Sequence, residues 1–586
     1  MTEWAGESIT DNWLPERLAE QYVNMAFEPY LTRSGYAFES YGDWLRLADS
    51  AVSICNRMID ELRKRGDDEL ASLELASAKK IRTNWRYPGR GGLALEDEIH
   101  VSNPSQAEEL RTGLRIQGLN IAAAVDDLPT AEIESVMANA EVPINKGKGY
   151  PWWTRGTDRE AAIALARLAF VSDRLDDITN ATIEGSDARI EPLITSYWRL
   201  AGSKDKRSVI KEAGGVLEVS DEMDWFASVR RVQAVPWYLN LRFTPFAQLL
   251  KHVRGQANDG RGSGRPETVI ERMSGYPYAI SADMSTYDQH FGAELLELAR
   301  DLLYEPTLRI LRMRGIYSAK ECDLVRQIAA TYDSMPILSP PVRRQEYARL
   351  YRRVGTLSSG RRDTSELGTN VNFVYNKHKL GQMRALSYTD YDCLGDDIIV
   401  FSKHDIEEEW RQVGGIAGFD ETIEPGSSFL KRRMPAGHGL VASMIDGTIM
   451  KEVPNEPAKD AIAALGIKAR RQVLQGIRSS HPMAGVYDDW LNSVSGRLVL
   501  ARTIANGTEL TALSESAGRE ARTDEELEQI EQALALYQIE GLDAKTVVKS
   551  SLLERSKVRY SELQHDCLGI SVTQARTLLM ERRDAA

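Results

Sequence analysis

The sequence has little cysteine: Cys55, Cys322, Cys393 and Cys567 are the only four in 586 residues. No two stand at a metal-ligand spacing such as CxxC, and no disulfide framework is implied, so a reducing compartment fits best. Long apolar runs are missing too. The stretch Ala161–Phe170 is among the longest, and it contains Arg167 and is too short to span a bilayer. The first residues, Met1 to Gly6, lack the basic-then-apolar pattern of a secretory signal. The expectation is a soluble, intracellular protein with no membrane partner. The eight histidines show no ligand spacing, and HExxH, GxSxG and the phosphate-loop pattern are absent. Excess base is absent as well. The formal net charge is −13, which argues against a simple nucleic-acid coat built on a basic surface. It leaves room for an enzyme with acid outside and a basic channel inside.

What is present is ordinary globular composition, 42% apolar and 27% charged. The length predicts a large core split into several sub-domains. Residues 1–130 carry charged and apolar positions at mostly helical spacing, as in Asp67–Lys80. The glycine-rich stretch Gly255–Gly264 reads as a mobile surface loop. From Tyr276 to Phe401 short strand-like runs, Tyr278–Ser281 and Ile398–Phe401, are mixed with helices. Beyond about residue 436 the pattern is helical again. There Thr523 and Glu526 form a capping box, opening a helix that Gly541 closes.

Two acidic clusters stand out. Asp283 ends a strand-like run, and Asp288 follows five residues on. Asp396 and Asp397 follow Gly395 between two strand-like runs, which reads as strand, tight turn, strand, with glycine permitting the turn. Carboxylates at a hairpin tip are hard oxygen donors, and two or three of them suit magnesium, which keeps waters and takes the rest of its shell from phosphates. Two such ions about 3.5–4 Å apart can activate a hydroxyl and neutralise a leaving phosphate. A lone Gly-Asp-Asp is a weak signal, and its strength comes from ordered company.

That company resembles the motif set of right-handed viral RNA-dependent RNA polymerases, from about residue 145 to 434. Gly149, Tyr150 and Pro151 look like motif G. Arg230, Arg231, Val232 and Gln233 look like the core of motif F. Asp283 and Asp288 resemble motif A, Ser359, Gly360 and Thr364 motif B, and Gly395–Asp397 motif C. Phe429, Leu430, Lys431 and Arg432 are similar to motif E, the primer grip. All six stand in the family's order. The surroundings of Asp283 and of the motif B helix, with Gly368 and Asn372, are most similar to picobirnavirus polymerases, with partitivirus polymerases next.

The resemblance implies an α+β, mostly helical right-hand fold of fingers, palm and thumb with a small antiparallel palm sheet. Its divisions would be 1–130, an extension bridging fingers and thumb; 131–275, fingers; 276–300, palm; 301–354, a fingers insertion; 355–435, palm; and 436–586, a helical thumb. It implies template-directed RNA synthesis for a viral, segmented double-stranded RNA genome. The cofactor would be Mg2+, or Mn2+, on Asp283, Asp396 and Asp397, with Asp283 and Asp396 as the bridging ligands. Partners would be RNA template and product, nucleoside triphosphates and a viral capsid protein. The location would be the virion interior or host cytoplasm.

Further roles follow from the same resemblance. Asp288 would accept a hydrogen bond from the ribose 2′-hydroxyl, directly or through Asn372, the contact that separates ribose from deoxyribose. Ser359 and Gly360 would form a flexible loop beside the site, with Thr364 and Asn372 near one face of the helix that follows. Asp363 and Glu366 read as a cap for that helix, which Gly381 would end. Arg231, then Arg230, would meet the triphosphate. Basic clusters at Lys204–Lys211 and Arg343–Arg362 would add phosphate contacts. Gly149–Pro151 would lie on the template path, Trp152 and Trp153 would stack a base or pack in the core, and Lys431 and Arg432 would flank the primer. Two positions depart from the family pattern. Gly368 stands where picornavirus-type enzymes carry Asn, and residues 414–428 hold no Lys or Arg to serve as general acid. The rival readings are a reverse transcriptase, against which Asp288 and Gly395 argue, and a non-enzymatic RNA-packaging protein, against which the net charge argues.

Overall fold

The computed structural model describes residues 6–8, 52–79, most of 107–442, 481–483, 485–486, 557–568 and 574. Pro151, Trp152, Trp153, Lys431, the basic residues 204–207, 343–344 and 352–353, and the expected helix 523–541 lie outside the described residues. Arg230, Arg231 and Arg432 are placed by their backbone alone.

Five helices carry most of the core: α1 (Ala107–Asp126), α2 (Trp237–Ala257), α3 (Ala293–Met313), α4 (Ala319–Ser334) and α5 (Thr364–Gln382). In α1 the buried Leu110, Leu114, Ile121 and Val125 repeat at helical spacing, and Glu108 and Glu109 sit in the first turn, where the helix dipole favours acid. Gly118 lets α1 lie directly on α3, because a Cβ there would collide with the Leu302 carbonyl. This helix belongs to the segment read as an N-terminal extension, yet it packs in the main core. The expected division at residue 300 falls inside the unbroken helix α3.

The site-bearing sheet has four antiparallel strands: β1 (Tyr278–Met284), β2 (Thr389–Leu394), β3 (Asp397–Ser402) and β4 (Glu421–Glu424), in the order β2-β3-β1-β4. Successive strand residues face opposite ways. Ile280, Ala282, Met284, Ile398 and Val400 therefore join the helical core, while Ile399 and Phe401 pack on the other side with Val269 and Phe429. The central strand β3 is buried on both faces, which is why its sequence is a continuous apolar run. A second sheet has the order Gly6–Ser8, Arg349–Tyr351, Ile337–Ser339, Ile194–Leu200 and Val229–Ala234. Its edge strand carries Arg230 and Arg231, in register with Arg199 and Trp198.

Three local expectations are corrected. The stretch from Gly255 is no free surface loop. Its first residues end α2, and the turn beyond is pinned to β2: Gly262 N–H donates to Asp392 at 2.8 Å, and Arg261 bonds Asp390 and lies 4.9 Å over the Tyr391 ring. Asp363 is the first residue before α5, but its side chain makes no cap. It is fully buried and binds Arg361 and the Tyr304 hydroxyl instead, while Glu366 pairs with Arg254 at 2.9 Å. Buried cations outcompete the exposed N–H groups of a helix end for a carboxylate. Gly381 lies within the last turn of α5 and does not end it.

Candidate active site

Asp397 is the cross-strand partner of Asp283 between β3 and β1. Such partners share a face, with Cα atoms roughly 4.5–5.5 Å apart. Leu394 pairs with Asp397, so Gly395 and Asp396 alone form the hairpin loop. Gly395 has φ 65°, while Asp396 is not among the positive-φ residues. That combination marks a type II′ turn, which wants glycine first. A Cβ at Gly395 would meet open space, so conformation alone selects glycine here. Asp283 and Asp396 are exposed and Asp397 is half-buried. Three carboxylates thus gather at one end of the sheet.

Among the described residues, no group of three His, Cys, Asp or Glu side chains is arranged to hold a metal ion. The donors at the hairpin tip are all carboxylate oxygens, reachable by solvent. Carboxylate oxygen is the donor type that a hard divalent ion takes.

Asp288 lies in a short 3₁₀ turn, Tyr287–His290, and its side chain is exposed. The turn is tied to the segment before α5. Leu357 N–H donates to the Asp288 carbonyl at 2.7 Å, and Thr356 N–H to the Phe291 carbonyl at 2.5 Å. Tyr287 is buried and its hydroxyl donates to the Gly368 carbonyl at 2.6 Å. Burial pushes this phenol well above the ordinary tyrosine range, and Cys393, Asp288 and Asp396 push it further. Asp288 and Asp396 thus both lie within electrostatic reach of one buried ring.

Ser359 is exposed at the tip of the loop before α5, and Gly360 is half-buried. The loop is held from three sides. Asn240 donates its amide to the Gly360 carbonyl at 2.9 Å. Thr364 donates its hydroxyl to the Ser358 carbonyl at 2.6 Å. A Cβ at Gly360 would collide with the Gln233 carbonyl, so the loop rests directly on the end of the strand bearing Arg230 and Arg231. Gly149 meets the same stretch. Its φ is 67°, and a Cβ there would lie 2.7 Å from the Val235 carbonyl. Trp237 N–H donates to the Lys148 carbonyl at 2.8 Å. Tyr150 is buried, and burial raises its phenol. The segments read as motifs G, F and B therefore meet at residues 148–150, 233–237 and 358–360. Phe429 packs under the hairpin on Ile399 and Phe401, and Arg432 is in register with Phe429 and Ala442.

Asn372 is placed differently from its expected role. Its side chain is fully buried. Its amide donates to the Gly395 carbonyl at 2.8 Å, and its oxygen accepts from Asn376 at 2.6 Å. Asn370 is also buried, bonded to Gln117 at 2.9 Å and to the Glu366 carbonyl at 2.8 Å. Both ends of the Asn372 amide are engaged inside the protein. Arg361, read within a phosphate-contact cluster, is fully buried on Asp363 and Asp333. Sequence reasoning missed Thr369, Tyr287 and Asn240. Nothing local marks them, because the groups they bond lie far along the chain.

No protein-family model matches the sequence, and no curated protein matches it. Solved structures do. The RNA-dependent RNA polymerase of a human picobirnavirus aligns with TM-score 0.53 and 14% identity, over 94% of this chain and 100% of that one. An insertion-loop deletion mutant of a human picobirnavirus polymerase aligns with TM-score 0.46 and 15% identity, over 86% and 92%. The RNA-dependent RNA polymerase of bacteriophage phi12 gives 0.44 and 14%, over 79% and 80%. The chain has the fold of the human picobirnavirus polymerase.

Proposed function

We propose that this protein is an RNA-dependent RNA polymerase that copies a viral, segmented double-stranded RNA genome. The observation that carries the reading is the pairing of Asp283 with Asp397 across β1–β3, with Asp396 at the hairpin tip, within the fold described above. The four-stranded sheet is the palm. The second sheet and the segments around it form fingers, and the chain beyond about residue 436 supplies the thumb. Asp283 and Asp396 are the ligands for Mg2+ or Mn2+, with Asp397 a weaker ligand or a partner to them.

Bound divalent ions supply charge neutralisation at the attacking hydroxyl and the departing pyrophosphate. The protein's own groups position the reactants. Asp288 accepts the ribose 2′-hydroxyl and so selects ribose over deoxyribose. Arg231, then Arg230, meets the triphosphate, whose oxygens match the guanidinium fork. Ser359 and Gly360 face the nascent pair, while Gly149–Pro151 guide the template and Lys431 and Arg432 the primer strand. These phosphate contacts position RNA without reading its sequence. A capsid protein is the proposed partner, and the virion interior or host cytoplasm the proposed location.

The test offers purified protein an RNA template with NTPs or dNTPs separately, in Mg2+ or Mn2+, with and without primer. Template-dependent RNA product from NTPs supports the reading. DNA product at an equal rate favours a reverse transcriptase, and no product in either arm argues for a packaging protein.

A further inference from the structure

The hairpin that carries Asp396 does not fix its own shape. In a type II′ turn the N–H and C=O of the first loop residue point away from the hairpin, and glycine there is free to rotate. Turning over the peptide between residues 395 and 396 would convert type II′ to type I′. Asp tolerates the positive φ that the second form requires, so nothing in the hairpin sequence forbids the change. The flip would move the Asp396 nitrogen, so the Cα–Cβ bond would tilt and the carboxylate would shift with it.

Helix α5 blocks that rotation. Thr369 Oγ1 accepts the Gly395 N–H at 3.0 Å. Asn372 Nδ2 donates to the Gly395 carbonyl at 2.8 Å. The second bond holds the peptide that would turn over, and the first fixes the peptide before it, and with it the position of Gly395. Both side chains are fully buried, while Gly395 itself is half-buried. The helix is fixed in turn over the same short stretch. Glu366 pairs with Arg254 of α2, the Gly368 carbonyl accepts from Tyr287, and Asn370 accepts from Gln117 of α1. Every one of these partners comes from a different part of the chain.

We propose that Thr369 and Asn372 are positioning residues that lock the Gly395 peptides and so aim the Asp396 carboxylate. This rests on the polymerase reading for its consequence, although the lock itself does not. Thr369→Val keeps the shape of the side chain and removes the acceptor, and Thr369→Ser restores it. Hydrogen exchange of the 391–399 segment reads the lock directly. Mn2+ binding without RNA or nucleotide, followed by electron paramagnetic resonance, reads the aim of the carboxylate. In Thr369→Val the Gly395 amide exchanges about tenfold faster, Mn2+ binds about tenfold more weakly, and RNA synthesis at saturating NTP slows by a similar factor. That factor is what one lost hydrogen bond of ordinary strength carries. The KM for NTP stays unchanged, and Thr369→Ser recovers most of each loss. Gly262 lies close to the Thr369 methyl, so Thr369→Ala, which adds no bulk, replaces the valine variant if that one does not fold. Wild-type exchange and Mn2+ affinity in a folded variant lacking the hydroxyl would overturn the proposal. A wild-type protein that makes no RNA, but whose exchange and Mn2+ affinity respond to Thr369, would instead overturn the polymerase reading and leave the lock standing.

Discussion

Arg361 offers the sharpest test of how the loop before α5 is held. Its side chain is entirely buried, with Asp363 at 2.9 and 3.0 Å and Asp333 at 2.6 Å. The guanidinium also lies 5.1 Å from the Tyr332 ring centre. Burial opposes its charge, yet Asp363 and Asp333 hold it above the usual arginine range. Arg361→Met removes the cation and leaves Asp363, among the described residues, with only the Tyr304 hydroxyl at 2.7 Å to offset a buried charge. Asp333 loses less, because Arg300 still binds it at 2.8 Å. Removing one partner of a buried pair typically costs about 3–5 kcal/mol, although the intact pair adds little net stability. The expected loss in a urea-unfolding measurement is therefore about 3–5 kcal/mol. The same reasoning predicts strong coupling. Asp363→Asn added to Arg361→Met removes the stranded charge while keeping an acceptor for Tyr304, so the double variant recovers about 1–3 kcal/mol. Ser359 is two residues away, so activity falls further than the unfolding free energy explains. A loss below about 1 kcal/mol, or strictly additive effects, would refute the argument.

Four further outcomes follow from other residues. Lys379, buried against Glu421 and 4.1 Å from the Trp410 ring centre, joins α5 to β4; Lys379→Met should cost about 3 kcal/mol in unfolding, and adding Glu421→Gln should restore much of it. The buried Asp392 carboxyl is raised by desolvation, with Gly262 and Cys393 N–H bonds pulling the other way. The folded state thus holds that proton more tightly than the unfolded one, and the penalty grows as pH rises from about 4 towards the folded pKa. Thermal melts of Asp392→Asn against wild type should show a gap that widens across that window in the variant's favour and then levels off. Gly360→Ala must push the loop off the Gln233 carbonyl, so both the melting temperature and the primer-extension rate should fall. Asp288→Ala should reduce the preference for NTP over dNTP about tenfold or more in competition assays, without a matching loss of stability.

The hairpin was legible because its signals are local. An acid at a strand end, a glycine before two acids and a β-branched run after them need only a few residues to read, and β1, β2 and β3 lie where that pattern put them. The order of the motifs exposed the fold for the same reason. The links between motifs were not legible. Asp363 and Glu366 form a good cap pattern, but Arg361 and Arg254 compete for them, and Arg254 lies more than a hundred residues away. Gly255–Gly264 has the composition of a loose loop, yet Asp392 and Asp390 hold it from β2. Asn372 is a nearby candidate for the role of the Asn whose position Gly368 takes, but which way a helix face points depends on where the hairpin docks. Thr369 carries no sequence signal at all, since a threonine within a helix has many uses.

The most direct measurement is nucleotide incorporation by Asp396→Ala beside wild type, on an RNA template with NTPs and Mg2+ or Mn2+. Asp396 is exposed, so the variant should melt like wild type. The account predicts RNA synthesis by the wild type and none detectable above background by the folded variant. Incorporation by Asp396→Ala at the wild-type rate would contradict it.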